Sequence, residues 1–326
     1  MSCDLLVSVV IPTYNRVVSL RETLESLARQ TYPADRFEVI VVDDGSTDGT
    51  REMLSAFRPS YTLHVITQAN RGAAAARNLG ASCAKGEILL FLDSDIIVTE
   101  NLLAEHARSQ GEHSHLLVAG RRLPWPAAQV SLASRLLGAD WDRQEDFPQS
   151  LPYLKVLTTN LSIMRARFEE LGGFDEGFPP GSGFEDMDFA YRAWKRGLRV
   201  VFNSSAIGYH NHPMSFAELC RQAECYHISA PLLLNKHPEL ATQIEHLQDK
   251  MPIMWHGDAP GLIARKIMRR LLAVAPVLKI LEILVGGLER WFPSPRVLRF
   301  LYWKVLGSYQ LIGFRRGIAL YGLWSE

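Results

Sequence analysis

The apolar run Ile88–Leu92 passes directly into Asp93-Ser94-Asp95, and no other stretch restricts the fold as much. A run of this kind suits a strand covered on both faces, which is the usual situation in parallel sheets flanked by helices. Two carboxylates two positions apart on an extended backbone point to the same side of the chain. At the open end of a sheet such a pair is poorly placed for packing. It is well placed to hold a hard divalent cation, and such a cation commonly holds phosphates.

The preceding chain repeats the pattern. Val7-Ser8-Val9-Val10-Ile11-Pro12 reads as a buried strand stopped by proline. Leu20, Leu24 and Leu27 give residues 19–30 helical spacing. Residues 37–42 form a second apolar run, ended by Asp43-Asp44-Gly45-Ser46. Residues 50–57 read as helix, 63–66 as a short strand and 72–84 as an Ala-rich helix. This alternation predicts an α/β fold with a mostly parallel central sheet and helices on both faces. Ligands of such sheets sit beyond the carboxyl ends of the strands. Pro12, Asp43-Asp44 and Asp93-Ser94-Asp95 all fall there. Residues 121–157, with several prolines and tryptophans, read as a connecting insertion. A strand over 158–164, the turn Gly172-Gly173-Phe174-Asp175, a helix over 185–196 and a last strand over 199–202 follow. From residue 213 the pattern is helical and broken by prolines.

The chain has 326 residues, 47% of them hydrophobic, enough for one large core or two domains. Its zero net charge is unevenly spread: from Leu262 onward eleven Lys and Arg face three Asp and Glu, a net of +8 that leaves −8 for the rest. A basic tail of this kind meets an anionic partner, either membrane lipid or nucleic acid. No nucleic-acid module is visible, so lipid is favoured. The apolar run over 271–278 is interrupted by Pro276, and Lys279 and Glu282 follow it, so it falls short of a spanning helix. With basic flanks and many aromatics, the tail predicts a helix lying in the membrane surface, against the plainer alternative of a packed helical subdomain or dimer interface. Four cysteines without metal-ligand spacing, and Asp4 in place of a basic leader, predict a reduced cytoplasmic setting without a signal peptide.

Five strings together resemble the family-2 glycosyltransferases, whose Rossmann-like fold is the A-type nucleotide-sugar-binding fold. They are VSVVIPTYNR (7–16), VIVVDDGSTDGT (39–50), NRGAAAARNLG (70–80), LLFLDSD (89–95) and GGFDEGF with FEDMDFAYR (within 172–192). The resemblance implies a nucleotide-sugar-binding catalytic domain over residues 1–212, with 213–326 a helical C-terminal region. It implies that Asp95 ligates Mn²⁺ or Mg²⁺, that Asp93 approaches the ribose or the ion, and that His210 adds a ligand, His212 being the competing candidate. Pro12, Tyr14, Asn15, Asp44, Arg77, Asp93 and Ser94 would line the donor site. Asp44 would meet the base, Tyr14 would stack or simply pack, and Arg77, more than Arg71, would face the diphosphate. Asp186 of the Glu185-Asp186 pair would be the general base, with Glu185 orienting the acceptor; the plain alternative is helix capping. Residues 121–157 would face the acceptor.

The expected activity is metal-dependent, inverting transfer of one sugar from a nucleotide sugar, a UDP-sugar first, to a hydroxyl. The acceptor would be a lipid-linked or cell-envelope molecule. Processive members of the family carry Gln-x-x-Arg-Trp; here Gly287 stands three before Arg290-Trp291, which favours one transfer per event. The rivals are a catalytically silent nucleotide-sugar-binding or scaffolding protein, and a nucleotidyltransferase. The latter calls for a glycine-rich basic loop after the first strand, which Ile11-Pro12-Thr13-Tyr14-Asn15 does not provide.

Overall fold

The computed structural model describes residues 5–113, 115–126, 131–133, 135–137, 152–211, 214–291 and 294–323. They gather in two compact units. The first lies within Met1–Ala128, Asp140–Pro180 and Glu185–His212, and the second within Gln129–Ala139, Gly181–Phe184 and Pro213–Glu326. Trp141 and most of the insertion expected over 121–157 fall outside the described residues.

The first unit is built on one sheet. Its strands are β1 (Val7–Thr13), β2 (Phe37–Asp43), β3 (Thr62–Thr67), β4 (Ile88–Leu92), β5 (Ile96–Val98), β6 (Leu116–Pro124), β7 (Asn160–Met164) and β8 (Arg199–His210). They lie in the order β3-β2-β1-β4-β7-β6-β8-β5. The half made by β3, β2, β1 and β4 is wholly parallel. In the other half β7 runs against β4 and β6, β5 runs against β8, and β6 and β8 are parallel. Helices α1 (Val17–Leu27), α2 (Thr50–Ala56), α3 (Ala73–Ser82), α4 (Leu102–Glu112), α5 (Arg165–Glu170) and α6 (Glu185–Lys195) complete it.

β1, β2 and β4 are buried almost throughout because both faces of the sheet are covered there, whereas β3 at the edge is partly exposed. Val7, Val9, Ile11, Val39, Val41, Ile88, Leu90 and Leu92 share a core with Leu20, Leu24 and Leu27 of α1 and Leu102 and Leu103 of α4. On the opposite face, Gly80 lets α3 settle onto the sheet: a Cβ there would stand 2.4 Å from Val10 and 3.2 Å from Val42. Phe91 on that same face meets Phe168 and Phe174, with ring centroids 5.1 and 5.0 Å away.

Two strand ends differ from expectation. β1 runs through Pro12 to Thr13 instead of stopping at the proline. Its pairing with β4 ends at Val10, so Pro12 withholds no donor from that neighbour. β8 continues past Phe202 to His210, making His210 the last residue of the strand, opposite Ile96, and not a residue beyond it.

The second unit is helical: α7 (Phe216–His227), α8 (Ala230–Lys236), α9 (Leu240–Gln243), α10 (Glu245–Gln248), α11 (Pro260–Leu272), α12 (Ala275–Trp291) and α13 (Pro295–Tyr321). Leu278, Val285, Leu298, Tyr302 and Val305 share a core with Cys220 of α7. Among the described residues no single helix is long and apolar enough to cross a membrane; α11 and α12 together have the length and composition, but are bent by 82°.

Candidate active site

The loops after β1 and β2 are tied by their own side chains. Asn15 adopts a left-handed backbone (φ 53°) that asparagine tolerates. Its N–H donates to Ser46 Oγ at 2.9 Å, and its Oδ1 accepts from the Thr47 N–H at 2.7 Å. Asp43 accepts from the Ser46 N–H and from Arg51 Nε, each at 2.9 Å, and so points away from its neighbour. Asp44 is buried and holds the entrance to α3. Its Oδ1 accepts from Gln68 Nε2 at 2.7 Å and the Arg71 N–H at 2.8 Å, and its Oδ2 from the Gly72 N–H at 2.8 Å. Each carboxylate oxygen takes two donors, so Oδ2 keeps capacity for a ligand N–H. Tyr14 is 48% exposed, which leaves its ring available for stacking. Pro12 is half-buried. Arg71 is exposed and paired with Glu176 at 2.7 Å.

Arg77 gathers the central carboxylates. It is buried on α3, over the Phe174 ring at 5.6 Å. One guanidinium nitrogen donates to Asp93 Oδ1 at 3.0 Å and another to Glu185 Oε1 at 3.2 Å. Burial alone would lower its pKa, but the charges of Asp93 and Glu185 outweigh this and hold it above the ordinary value. One side chain therefore ties the end of β4 to the start of α6. The guanidinium is turned to these carboxylates rather than presented as an open fork.

Asp186 is the second residue of α6, where the helix dipole favours an anion. Its Oδ1 accepts from the Met187 N–H at 2.8 Å. Burial and the neighbouring Glu185 push its pKa up to about 7, with Asp93 adding to the rise and Arg77 opposing it. Such a carboxylate can exchange a proton near neutral pH. Phe184, immediately before α6, has φ 70°, a strained value for a bulky side chain. Asp188 is structural: it pairs with Arg192 at 2.8 Å, and Arg192 also donates to the carbonyls of Leu171 and Gly173.

At the end of β4, Ser94 and Asp95 are both buried. His210 Nε2 lies 3.6 Å from Asp95 Oδ2, and an Arg16 guanidinium nitrogen lies 3.9 Å from the same oxygen. Asp95 and His210 are thus together, while Asp93 faces Arg77. A carboxylate oxygen beside an imidazole suits Mn²⁺. Among the described residues no group of three or more His, Cys, Asp or Glu stands at metal-ligating spacing. His212 lies outside the described residues. The sequence reading missed Arg16, although it ends the first motif string. It also missed Glu185 as Arg77's partner, which 108 residues of intervening chain conceal.

The model of the glycosyl transferase family group 2 matches residues 88–319, and that of glycosyl transferase family 2 matches residues 8–159. The chain belongs to the family-2 glycosyltransferases. Validoxylamine A glucosyltransferase of Streptomyces hygroscopicus subsp. jinggangensis is 34% identical over 236 residues, covering 62% of this chain and 54% of that protein. Glycosyltransferase GlyG of Streptococcus pneumoniae is 46% identical over 210 residues, covering 60% and 67%. The chain spans about half the length of the validoxylamine A glucosyltransferases it matches. The mannosyltransferase PcManGT of Pyrobaculum calidifontis, solved with GDP-Man and Mn²⁺, superposes with a TM-score of 0.62 at 21% identity, covering 98% of this chain and 87% of that one. Staphylococcus aureus TarS 1–349 with UDP-GlcNAc gives 0.55 at 19% identity, covering 98% and 93%. These structures share the α/β glycosyltransferase fold of this family member.

Proposed function

We propose that this protein is a metal-dependent, inverting glycosyltransferase that moves one sugar from a nucleotide donor to a hydroxyl. The carrying observation is the Arg77 tie, which sets the acid after β4 and the acid pair opening α6 around one guanidinium. Asp186 takes the acceptor hydroxyl proton as its oxygen forms the bond to the anomeric carbon. The bond from that carbon to the diphosphate breaks on the opposite side, and its electron pair leaves with the diphosphate. Glu185, anchored by Arg77, orients the acceptor and keeps Asp186 basic enough to serve. Tyr14, Asn15 and Asp44 hold the nucleoside; Pro12 and Ser94 shape the wall beneath it.

Asp95 and His210 are the pair that would hold Mn²⁺ or Mg²⁺, which when bound neutralises the charge of the diphosphate. The relatives solved with GDP-Man or UDP-GlcNAc support a nucleotide-sugar donor; we take a UDP-sugar as the first to try. An envelope or lipid-linked acceptor and a peripheral place on the cytoplasmic membrane face agree with the basic, partly apolar tail. The test is incubation of the full chain with UDP-sugars and Mn²⁺. Slow UDP release, lost in Asp186→Asn with donor binding kept, is the expected result. Tight donor binding without release would instead reveal a silent binding protein, and UTP formed from the UDP-sugar and added pyrophosphate a nucleotidyltransferase.

A further inference from the structure

We propose that the helical unit carries a pocket for the phosphate headgroup of an anionic lipid, lined by Arg269, Arg296, Arg299, Phe300, Trp303 and Lys304. The cavity holds about 400 Å³. Five of its lining residues come from α13 at positions 296, 299, 300, 303 and 304, a spacing that puts them on one helix face. Arg269 reaches in from α11, which packs on α13. None of the lining residues is acidic, so four cations converge on one concavity with two aromatic rings among them.

Arg269 is fixed in place. Its Nε and Nη2 donate to Asp249 Oδ2 at 3.0 and 2.8 Å. Its Nη1 is buried and has no hydrogen-bond partner among the described residues. That nitrogen lies where a side chain at position 307 would begin, 1.7 Å from the Cβ that Gly307 lacks. Lys304 Nζ stands 5.0 Å over the Phe300 ring, held near the mouth by a cation–π contact. A phosphate monoester or diester offers the oxygens this arrangement calls for.

The surroundings favour a lipid over a free phosphate ion. Phe300 and Trp303 are exposed, and α11, which carries Arg269, and α12 expose Met268, Leu271, Ile280 and Ile283. Apolar surface of this extent next to concentrated positive charge marks an interfacial helix lying among headgroups. The inference deepens the peripheral-membrane reading given above and rests on it, but is independent of the catalytic one.

The experiment is co-sedimentation of the full chain with phosphatidylcholine vesicles, with and without phosphatidylglycerol. The expected result is partition into the anionic vesicles only. It should weaken about tenfold or more in Arg296→Ala/Lys304→Ala, and not in Arg29→Ala/Arg58→Ala, which removes equal charge from exposed positions of the sheet unit. Matching thermal melts establish that both variants are folded. Arg269→Lys, which keeps the charge but not the fork, is expected to weaken partition as well. If both double variants lose binding equally, or if inorganic phosphate at the lipid phosphate concentration releases the protein, the lipid pocket is wrong. If the wild type ignores anionic vesicles, the peripheral-membrane reading falls with it. If it binds them and the pocket variants match it, only the pocket falls.

Discussion

In the sheet unit the buried cation Arg77 is answered by carboxylates 16 and 108 residues away. In the helical unit the buried Lys250 is answered by the adjacent Asp249 and by the His246 carbonyl, and Lys266 by Asp258 eight residues before it. The two arrangements serve different ends. Short-range pairs give each buried lysine an anion close by in sequence; they fix helices. The long-range group is unbalanced: Asp93, Glu185 and Asp186 surround one guanidinium, and burial, with the surplus negative charge adding to it, raises the pKa of Asp186. A protein that tolerates such an excess has a use for it.

That contrast can be broken most forcibly at Asp186. Asp186→Asn is expected to cut turnover on the order of 10³-fold, with UDP affinity by calorimetry unchanged; a parallel loss of affinity would make the residue a donor ligand. Next in size, Asp95→Ala should abolish stimulation by Mn²⁺ and slow turnover on the order of 10²-fold. A metal response that survives would remove Asp95 and its neighbour His210 from the ion. In the helical unit, Asp249→Ala leaves Lys250 and Arg269 without their shared anion. Denaturant melts should show a loss of about 3 kcal/mol, while turnover per folded molecule stays constant.

The smallest effect is the most specific. A base must be ionised, so kcat/KM should fall tenfold per unit as pH drops below about 7, the value to which Asp186 is raised. Glu185 raises that value and Arg77 lowers it. Glu185→Gln should therefore shift the acid limb of the profile down, and Arg77→Met should shift it up. Limbs that move together, or not at all, would show that another group controls the rate.

Much of the sheet was readable because its first four strands are short runs dominated by apolar residues, three of them closed by proline or acid. β5 was hidden by brevity, since Ile96–Val98 follows the acidic motif without a break. α4 buries polar residues, among them His106, which sits between Ser162 and Asn160 at 2.8 Å from each, and no apolar stripe announces it. β8 was cut short because Asn203-Ser204-Ser205 interrupts its apolar run. There Asn203 donates to Glu105 and Ser109, and the register against β6 shifts. The acidic ends of strands were visible as candidates. What joined them was not, because ion pairing across a hundred residues leaves no periodic trace in a sequence.

Gly313 and Gly317 bring α13 so near α7 and its C-cap that added methyl groups would stand 2.0 Å from the Glu224 carbonyl oxygen and 2.1 Å from that of Ile228. Main chain rests on main chain there, joined at Gly317 only by the rigid Pro231 ring. The long helix is thereby clamped along its second half while its first half projects the basic face. Widening that clamp by even one methyl would strain the seat of the whole helix, whose first half is itself held by Leu298, Tyr302 and Val305 in the core, so a lesion far from any ligand would misalign the basic face.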